Sequence, residues 1–322
     1  MVLGGEHLMI QILLASILIL SSVFCCDTDK KLSLEKSDSY PLKKETSKVD
    51  EKQQKLLGDA LFDHPGYSRK TMSEHRIPNA SSVTINNYLC EFKESDDGKK
   101  KCMTFSRNGR KVRSDCSENG SCSIIMSPPA GKDINGDGIP NVIIECYSGG
   151  LHCCSQYAVF SLGKKLKLLA VLNGDHSHME FKDIDGDGKY EVIGRDWAFA
   201  YWPTSFAGSP APEVILRWNN GKYRLAENMM KKPPPGEKEL QEMASGIEEG
   251  ETYRILSAIM LKLIYTGNGN IALQYCDWFW QNLDKEIPRQ NLLKRKKEFL
   301  AEFKKQLRKS YYWADLKKMN GW

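Results

Sequence analysis

Asp133-Ile-Asn-Gly-Asp-Gly-Ile-Pro-Asn141 and Asp183-Ile-Asp-Gly-Asp-Gly-Lys-Tyr-Glu191 are two copies of one acidic, glycine-rich nonapeptide. Carboxylate or amide oxygens stand at positions 1, 3, 5 and 9, and glycines at positions 4 and 6. Glycine permits the left-handed backbone that curls such a loop tightly. Side chains at positions 1, 3 and 5 then converge, position 7 offers its backbone carbonyl, and position 9 closes the ring. Many oxygens in an adaptable shell suit a hard cation, Ca2+ above others. The expected ligands are Asp133, Asn135, Asp137, the Ile139 carbonyl and Asn141 in the first copy, and Asp183, Asp185, Asp187, the Lys189 carbonyl and Glu191 in the second.

The opening DxDGDG is shared with helix-loop-helix calcium sites, but those require a bidentate acid at position 12. Here that position is Ile144 in one copy and Gly194 in the other. The flanks, Val142-Ile143-Ile144 and Tyr190-Glu191-Val192-Ile193, are β-rich runs and not helix starts.

This pattern, set between an apolar stretch and a strand, resembles the FG-GAP or VCBS repeats of integrin-like β-propellers. The resemblance implies blade-like sheets whose inter-strand loops are stiffened by Ca2+. Asn141 departs from the usual acid at position 9, so the first site is expected to be the weaker one. A longer stretch is similar to a group of uncharacterised bacterial envelope proteins. It includes Ser148-Gly-Gly-Leu-His-Cys-Cys154, Gly194-Arg-Asp-Trp-Ala-Phe-Ala-Tyr-Trp202, Ser209-Pro-Ala-Pro212 and Asn220-Gly-Lys-Tyr-Arg-Leu225. That likeness runs over roughly residues 140–322 and implies no particular activity.

Around the loops, short alternating runs recur at regular intervals, the signature of an all-β region. Arg107-Asn-Gly-Arg110 and Asn219-Asn-Gly221 mark hairpin turns. The fold class expected is mainly β, with blade-like antiparallel sheets in a propeller-like or sandwich arrangement and a C-terminal α-helical segment. The β-domain spans 58–232. Pro233-Pro-Pro-Gly236 then marks a boundary, and the apolar period changes to 3 and 4 residues. A helix is expected from Leu240 to Ile264, a second from Ile271 to Leu283, and a third after Pro288, within an α-helical region of residues 233–322.

The chain has 322 residues and ten cysteines, and its net charge is +5. Residues 1–25 hold an apolar run from Leu8 to Phe24 that turns polar at Asp27, the shape of a secretory signal, though no Lys or Arg precedes it. Cys25 or Cys26 is a candidate for lipidation, Cys26 preferred. Residues 26–57 read as a disordered tether, too poor in apolar side chains to fold. Export, to the periplasm or outer cell envelope, allows disulfides. Local pairs Cys90–Cys102 and Cys116–Cys122 are expected. Cys153 and Cys154 are adjacent and would face opposite sides of a strand, each pairing elsewhere, or would bond to one another.

Trp197, Phe199 and Tyr201 alternate and would share a face of an extended segment. Trp197, Tyr201, Trp202 and Phe206 form the candidate binding surface, with Pro203–Pro212 as an adjoining loop. His176 and His178 lie two apart, in a polar loop with no evident third metal ligand. No GxSxG, HExxH or phosphate-loop motif occurs. The C-terminal region from Lys285 is strongly basic. Export argues against nucleic acid as its partner. The function expected is non-catalytic, calcium-dependent binding or adhesion to an envelope protein or glycan, with membrane attachment through an N-terminal lipid. The alternatives are an envelope hydrolase acting on polysaccharide or peptidoglycan, and an assembly or scaffold factor acting through its helices.

Overall fold

Three two-residue turns set the strand pattern. Asn86-Asn87, Asn108-Gly109 and Asn220-Gly221 all adopt positive φ at both central residues, the backbone that matches the right-handed twist of paired strands. Asn and Gly tolerate it at least cost. A computed structural model of the chain describes residues 79–95, 100–117, 121–148, 154–244, 252–282 and 289–322. The expected signal, tether and Cys26 lie outside the described residues, as do His152 and Cys153.

Each of three antiparallel sheets contains a meander of four consecutive strands. The first comprises β2 (Ser82–Ile85), β3 (Tyr88–Glu94), β4 (Lys101–Arg107) and β5 (Arg110–Ser117). The central one comprises β6 (Ser121–Ile125), β7 (Asn141–Tyr147), β8 (Ser155–Leu162) and β9 (Leu166–Asp175), and the short β1 (Asn79–Ala80) adds to its β6 edge. The third comprises β10 (Glu180–Lys182), β11 (Glu191–Arg195), β12 (Glu213–Asn219) and β13 (Lys222–Leu225).

The central sheet is buried on both faces, which explains its near-continuous apolar strands. Side chains alternate across a pleated strand. Val142, Ile144, Ala158, Phe160 and Leu162 therefore face one core, together with Tyr88, Met103 and Phe105 of the first sheet. Ile143, Tyr157, Val159 and Leu172 face a second core, shared with the third sheet and the helices. The chain is thus mainly β with C-terminal helices, as its sequence pattern indicates.

The helices are α1 (Glu227–Met230), α2 (Glu237–Ala244), α3 (Thr252–Tyr265), α4 (Gly269–Asn282), α5 (Arg289–Leu307) and α6 (Trp313–Asn320). The single helix expected from Leu240 to Ile264 is represented by α2 and α3, on either side of residues 245–251, which lie outside the described set. In α3, Leu256, Ile259, Met260, Leu263 and Ile264 are buried at spacings of 3 and 4, one apolar stripe turned to the core. Asn320 in α6 ties three helices together. Its Oδ1 accepts the Gly269 amide (2.7 Å), and its Nδ2 donates to the carbonyls of Ile264 (3.0 Å) and Leu316 (2.8 Å).

Asp196, just after β11, pins the helices to the third sheet. Its buried carboxylate accepts the Tyr265 hydroxyl (2.6 Å), the Ser310 hydroxyl and the Ala198 amide (2.9 Å). Burial and the Asp196 charge push the Tyr265 phenol well above its ordinary pKa, so it stays a donor.

The disulfides correct the sequence expectation. Cys102 bonds Cys116 and Cys122 bonds Cys146, while Cys90 is a free, buried thiol. The reason is register: Cys102 lies directly opposite Cys116 across β4 and β5, and Cys122 opposite Cys146 across β6 and β7. Cys90 faces Phe105 across β3 and β4. Burial pushes the Cys90 thiol up to about 12, which keeps it protonated and unreactive. Cys154 is also disulfide-bonded, and Cys276 is free and buried. Structural disulfides persist in oxidising compartments, which marks the chain as exported and non-cytoplasmic.

Replacing Asp196 with Ala strands two buried hydroxyl donors. Asp196→Ala should lower unfolding free energy by about 2–3 kcal/mol, measured by urea denaturation under oxidising conditions.

Candidate metal centre

Both nonapeptides occupy the same place in their sheets. The first joins β6 to β7 and the second joins β10 to β11, in each case the first connection of a four-strand meander. The two loops curl alike. Gly136, Gly138, Gly186 and Gly188 all have positive φ, between 75° and 86°. Asp133 accepts the amides of Gly136 (2.8 Å) and Gly138 (2.7 Å), and Asp183 accepts those of Gly186 (2.8 Å) and Gly188 (3.0 Å). The seventh residues, Ile139 and Lys189, each donate an amide to the fifth-position carboxylate, Asp137 or Asp187, at 2.9 Å. Position 9 closes each ring: Asn141 Oδ1 accepts the Ile134 amide (2.9 Å), and Glu191 Oε2 accepts the Ile184 amide (3.0 Å).

The loops also touch one another. The Tyr190 amide donates to the Ile134 carbonyl at 2.8 Å. The Lys189 stem lies over Gly136 so closely that a Cβ there would come within 2.6 Å of Lys189 Cε. Gly136 is required for its φ of 75°, and a side chain there would also displace the exposed Lys189 stem.

The polar interiors of the two loops differ. In the first, Asn135 donates through Nδ2 to Asp137 (3.0 Å). Its Oδ1 is buried without a hydrogen-bond donor, and the residue is only 6% exposed. An unpaired buried acceptor costs about 1–3 kcal/mol, and a cation held among Asp133, Asn135 and Asp137 would supply its partner. In the second, one oxygen from each of Asp183, Asp185 and Asp187 lies within 4.8 Å of the others, a separation that suits shared ligation. Arg217 on β12, however, reaches into this group. Its Nε donates to Glu191 Oε1 (2.7 Å) and its Nη2 to Asp185 Oδ2, with Asp187 3.9 Å away. The hydrogen bond from Arg217 holds the Asp185 carboxyl below the usual range against a smaller opposing effect of desolvation.

The aromatic residues beyond β11 divide into two sets. Trp197 and Phe206 stack at 5.3 Å and 12°, Tyr201 leans on Phe206 at 5.4 Å, and His176 meets both Trp197 and Phe206 edge-on. Tyr201 is 60% exposed and holds φ at 59°, a strained backbone for a bulky residue. Trp202 departs from the expected binding surface. It is half-buried and packs on Phe199, Phe299 and Phe303. Phe199 likewise does not share a face with Tyr201, because it is fully buried. The segment is a run of turns, with bonds from Ala200 to Trp197 and from Trp202 to Phe199, so strand alternation does not apply.

A polar cluster that the spacing of His176 and His178 does not reveal lies beside this ledge. His178 Nδ1 meets Glu145 Oε1 at 2.8 Å, the Tyr157 hydroxyl donates to the same oxygen at 2.6 Å, and the Met179 amide donates to Tyr157 at 3.0 Å. Glu145 is an acid inside the apolar strand β7, and that interruption is the one signal the sequence carries. Arg217 interrupts the apolar run of β12 in the same way.

No family model matches the chain. A segment of 88 residues, 26% of this chain, is 33% identical to part of a probable thylakoid lumen protein of Synechocystis and covers 25% of that protein. Another alignment, over 96 residues and 26% of this chain, is 28% identical to an uncharacterized protein of Sinorhizobium fredii and covers 15% of it. The chain thus spans a quarter or less of the length of these curated relatives. No solved structure matches it.

Protonation of the His178–Glu145 pair sets a pH dependence. Its hydrogen bond to Glu145 raises His178 above 6.5; burial opposes this and the Glu145 charge adds to it. For Glu145, burial alone would raise the pKa, but hydrogen bonds from His178 and Tyr157 and the His178 charge outweigh it and hold the carboxyl below 4.5. The histidine contribution is fully present below its unfolded pKa and is lost as pH rises through the raised folded value. The glutamate contribution is present above 4.5 and is lost as pH falls through the depressed folded value. Stability from this pair is therefore greatest between 4.5 and 6.5. The Tm of the wild-type chain should fall relative to His178→Gln as pH is raised above 6.5, read by thermal denaturation of both proteins across pH 5–9.

Proposed function

We propose that this is an exported, calcium-stiffened β-sheet protein that binds an envelope protein or glycan without catalysis. The observation that carries the calcium reading is Asn135 Oδ1, a buried carbonyl oxygen left without a donor inside a ring of Asp133, Asp137 and glycine amides. Ca2+ would supply charge neutralisation and an oxygen-seeking centre, with affinity in the roughly 10⁻⁴–10⁻³ M class of extracellular modules. The residues that would hold it are Asp133, Asn135, Asp137 and Asn141 of the first loop. Repetition of the loop at the same connection of two successive meanders supports kinship with FG-GAP or VCBS repeats.

Export is supported by the two cross-strand disulfides and by the thylakoid lumen named for one relative. Attachment through a lipid on Cys26 is part of the same proposal. The recognition surface is the ledge of Trp197, Phe206 and Tyr201, where a strained, exposed tyrosine stands beside stacked rings. Such a platform suits the apolar face of a sugar or an aromatic-rich protein patch. Export argues against nucleic acid as a partner of the basic C-terminal region.

Calcium should raise the Tm by about 3 °C at 10 mM, given a millimolar site and linkage of folding to binding. Asn135→Ala and Asp137→Ala should each abolish that rise, and magnesium at the same concentration should not reproduce it. Identical melting curves in calcium and in chelator would refute the calcium reading. A Tyr201→Ala variant that retains full binding to envelope glycans or proteins would remove the ledge from it.

A further inference from the structure

We propose that Arg217 is a built-in counter-cation of the second loop, so that the two loops take a divalent ion unequally. The first binds it directly, and the second only when Arg217 is displaced. This rests on the calcium reading above and specifies how it applies to each copy.

The difference originates in the strand facing position 9. In the central sheet Asn141 lies opposite Ser161 of β8. In the third sheet Val192 lies opposite Leu216, which brings Arg217 alongside Glu191 at the corresponding place. A serine cannot reach the loop centre as a cation; a guanidinium can. Arg217 spans two carboxylates with its fork, Nε to Glu191 and Nη2 to Asp185, and a third, Asp187, lies 3.9 Å away. Charge-assisted bonds of this kind are about twice as strong as neutral ones.

The oxygen inventory follows. Glu191 is fully buried, and both of its oxygens are engaged, one by Arg217 and one by the Ile184 amide. The Arg217 charge does not titrate away at any physiological pH. An ion entering this loop must therefore break the Arg217 pairs and leave a largely covered guanidinium beside it. Among the described residues no Lys or Arg pairs with Asp133 or Asp137, and Asn135 Oδ1 already lacks a partner. The loop with fewer acids is thus the one ready for a cation. This reverses the ranking expected from Asn141 alone, because that ranking counted ligand charges and not the charge already facing them.

Calorimetric titration of the full chain with CaCl2 tests this. The wild-type protein should bind one ion in the accessible range, and Asp137→Ala should remove that event. Asp187→Asn in the second loop should leave its stoichiometry unchanged and its affinity within about twofold. Arg217→Ser, which copies Ser161, should reveal a second event at least about tenfold tighter than any in the wild-type second loop. Two equal ions in the wild-type chain, or loss of the single event in Asp187→Asn, would overturn the inequality while leaving calcium binding intact. Absence of binding in wild type and Arg217→Ser alike would overturn both. The Asp187→Asn arm decides the matter if Arg217→Ser does not fold.

Discussion

Burial of the central sheet on both faces is the constraint on which the rest of the architecture depends. Val142, Ile144 and Phe160 on one side and Ile143, Tyr157 and Val159 on the other each need an apolar partner layer. The first sheet covers one face. The third sheet and the helices cover the other. Neither layer is optional, since each exposed Val, Ile or Phe would forfeit about 1.5–3 kcal/mol of transfer free energy. The polar loops are consequently confined to sheet ends, where the nonapeptides connect the strands that form these layers.

The helical region is part of this arrangement and not an appendage. Its boundary at Pro233-Pro-Pro-Gly236 is clear in the sequence, yet α3, α4 and α5 contribute Leu256, Tyr275 and Phe303 to the same core as Val192 and Leu216 of the third sheet. Asp196 illustrates how such a junction is built. A buried carboxylate that accepts bonds from Tyr265 of α3 and from Ser310 in the turn between α5 and α6 is costly if one partner is missing and specific when all are present. The pairing of Arg224 with Asp315 at 2.8 Å adds a second tie between β13 and α6.

What could be read from the chain was what depends on neighbours in sequence. Asn108-Gly109 and Asn220-Gly221 announce their turns because φ preference is local. The curl of Asp133–Asn141 and Asp183–Glu191 was legible for the same reason. What could not be read depends on register. Cys90 and Cys102 are near in sequence, but strand pairing sets Cys102 against Cys116. Arg217 is remote from Glu191 along the chain and becomes its neighbour only when β11 and β12 align. Strand alternation would put Phe199 and Tyr201 on one face, whereas turn bonds rotate one ring into the core and the other outward. Glu145 gave a weak sign, an acid in an apolar strand, without indicating His178 or Tyr157 as its partners.

The contact between the nonapeptides carries a mechanical implication. Tyr190 bonds to Ile134, and the aliphatic stem of Lys189 rests on Gly136, so the ends of two sheets are riveted at a single seam. Tightening of one ring would be felt as a restraint on the strand that leaves the other. Under the calcium proposal, ions drawn from the surroundings would govern how rigidly neighbouring layers hold their relative tilt, with no change in which residues they bury.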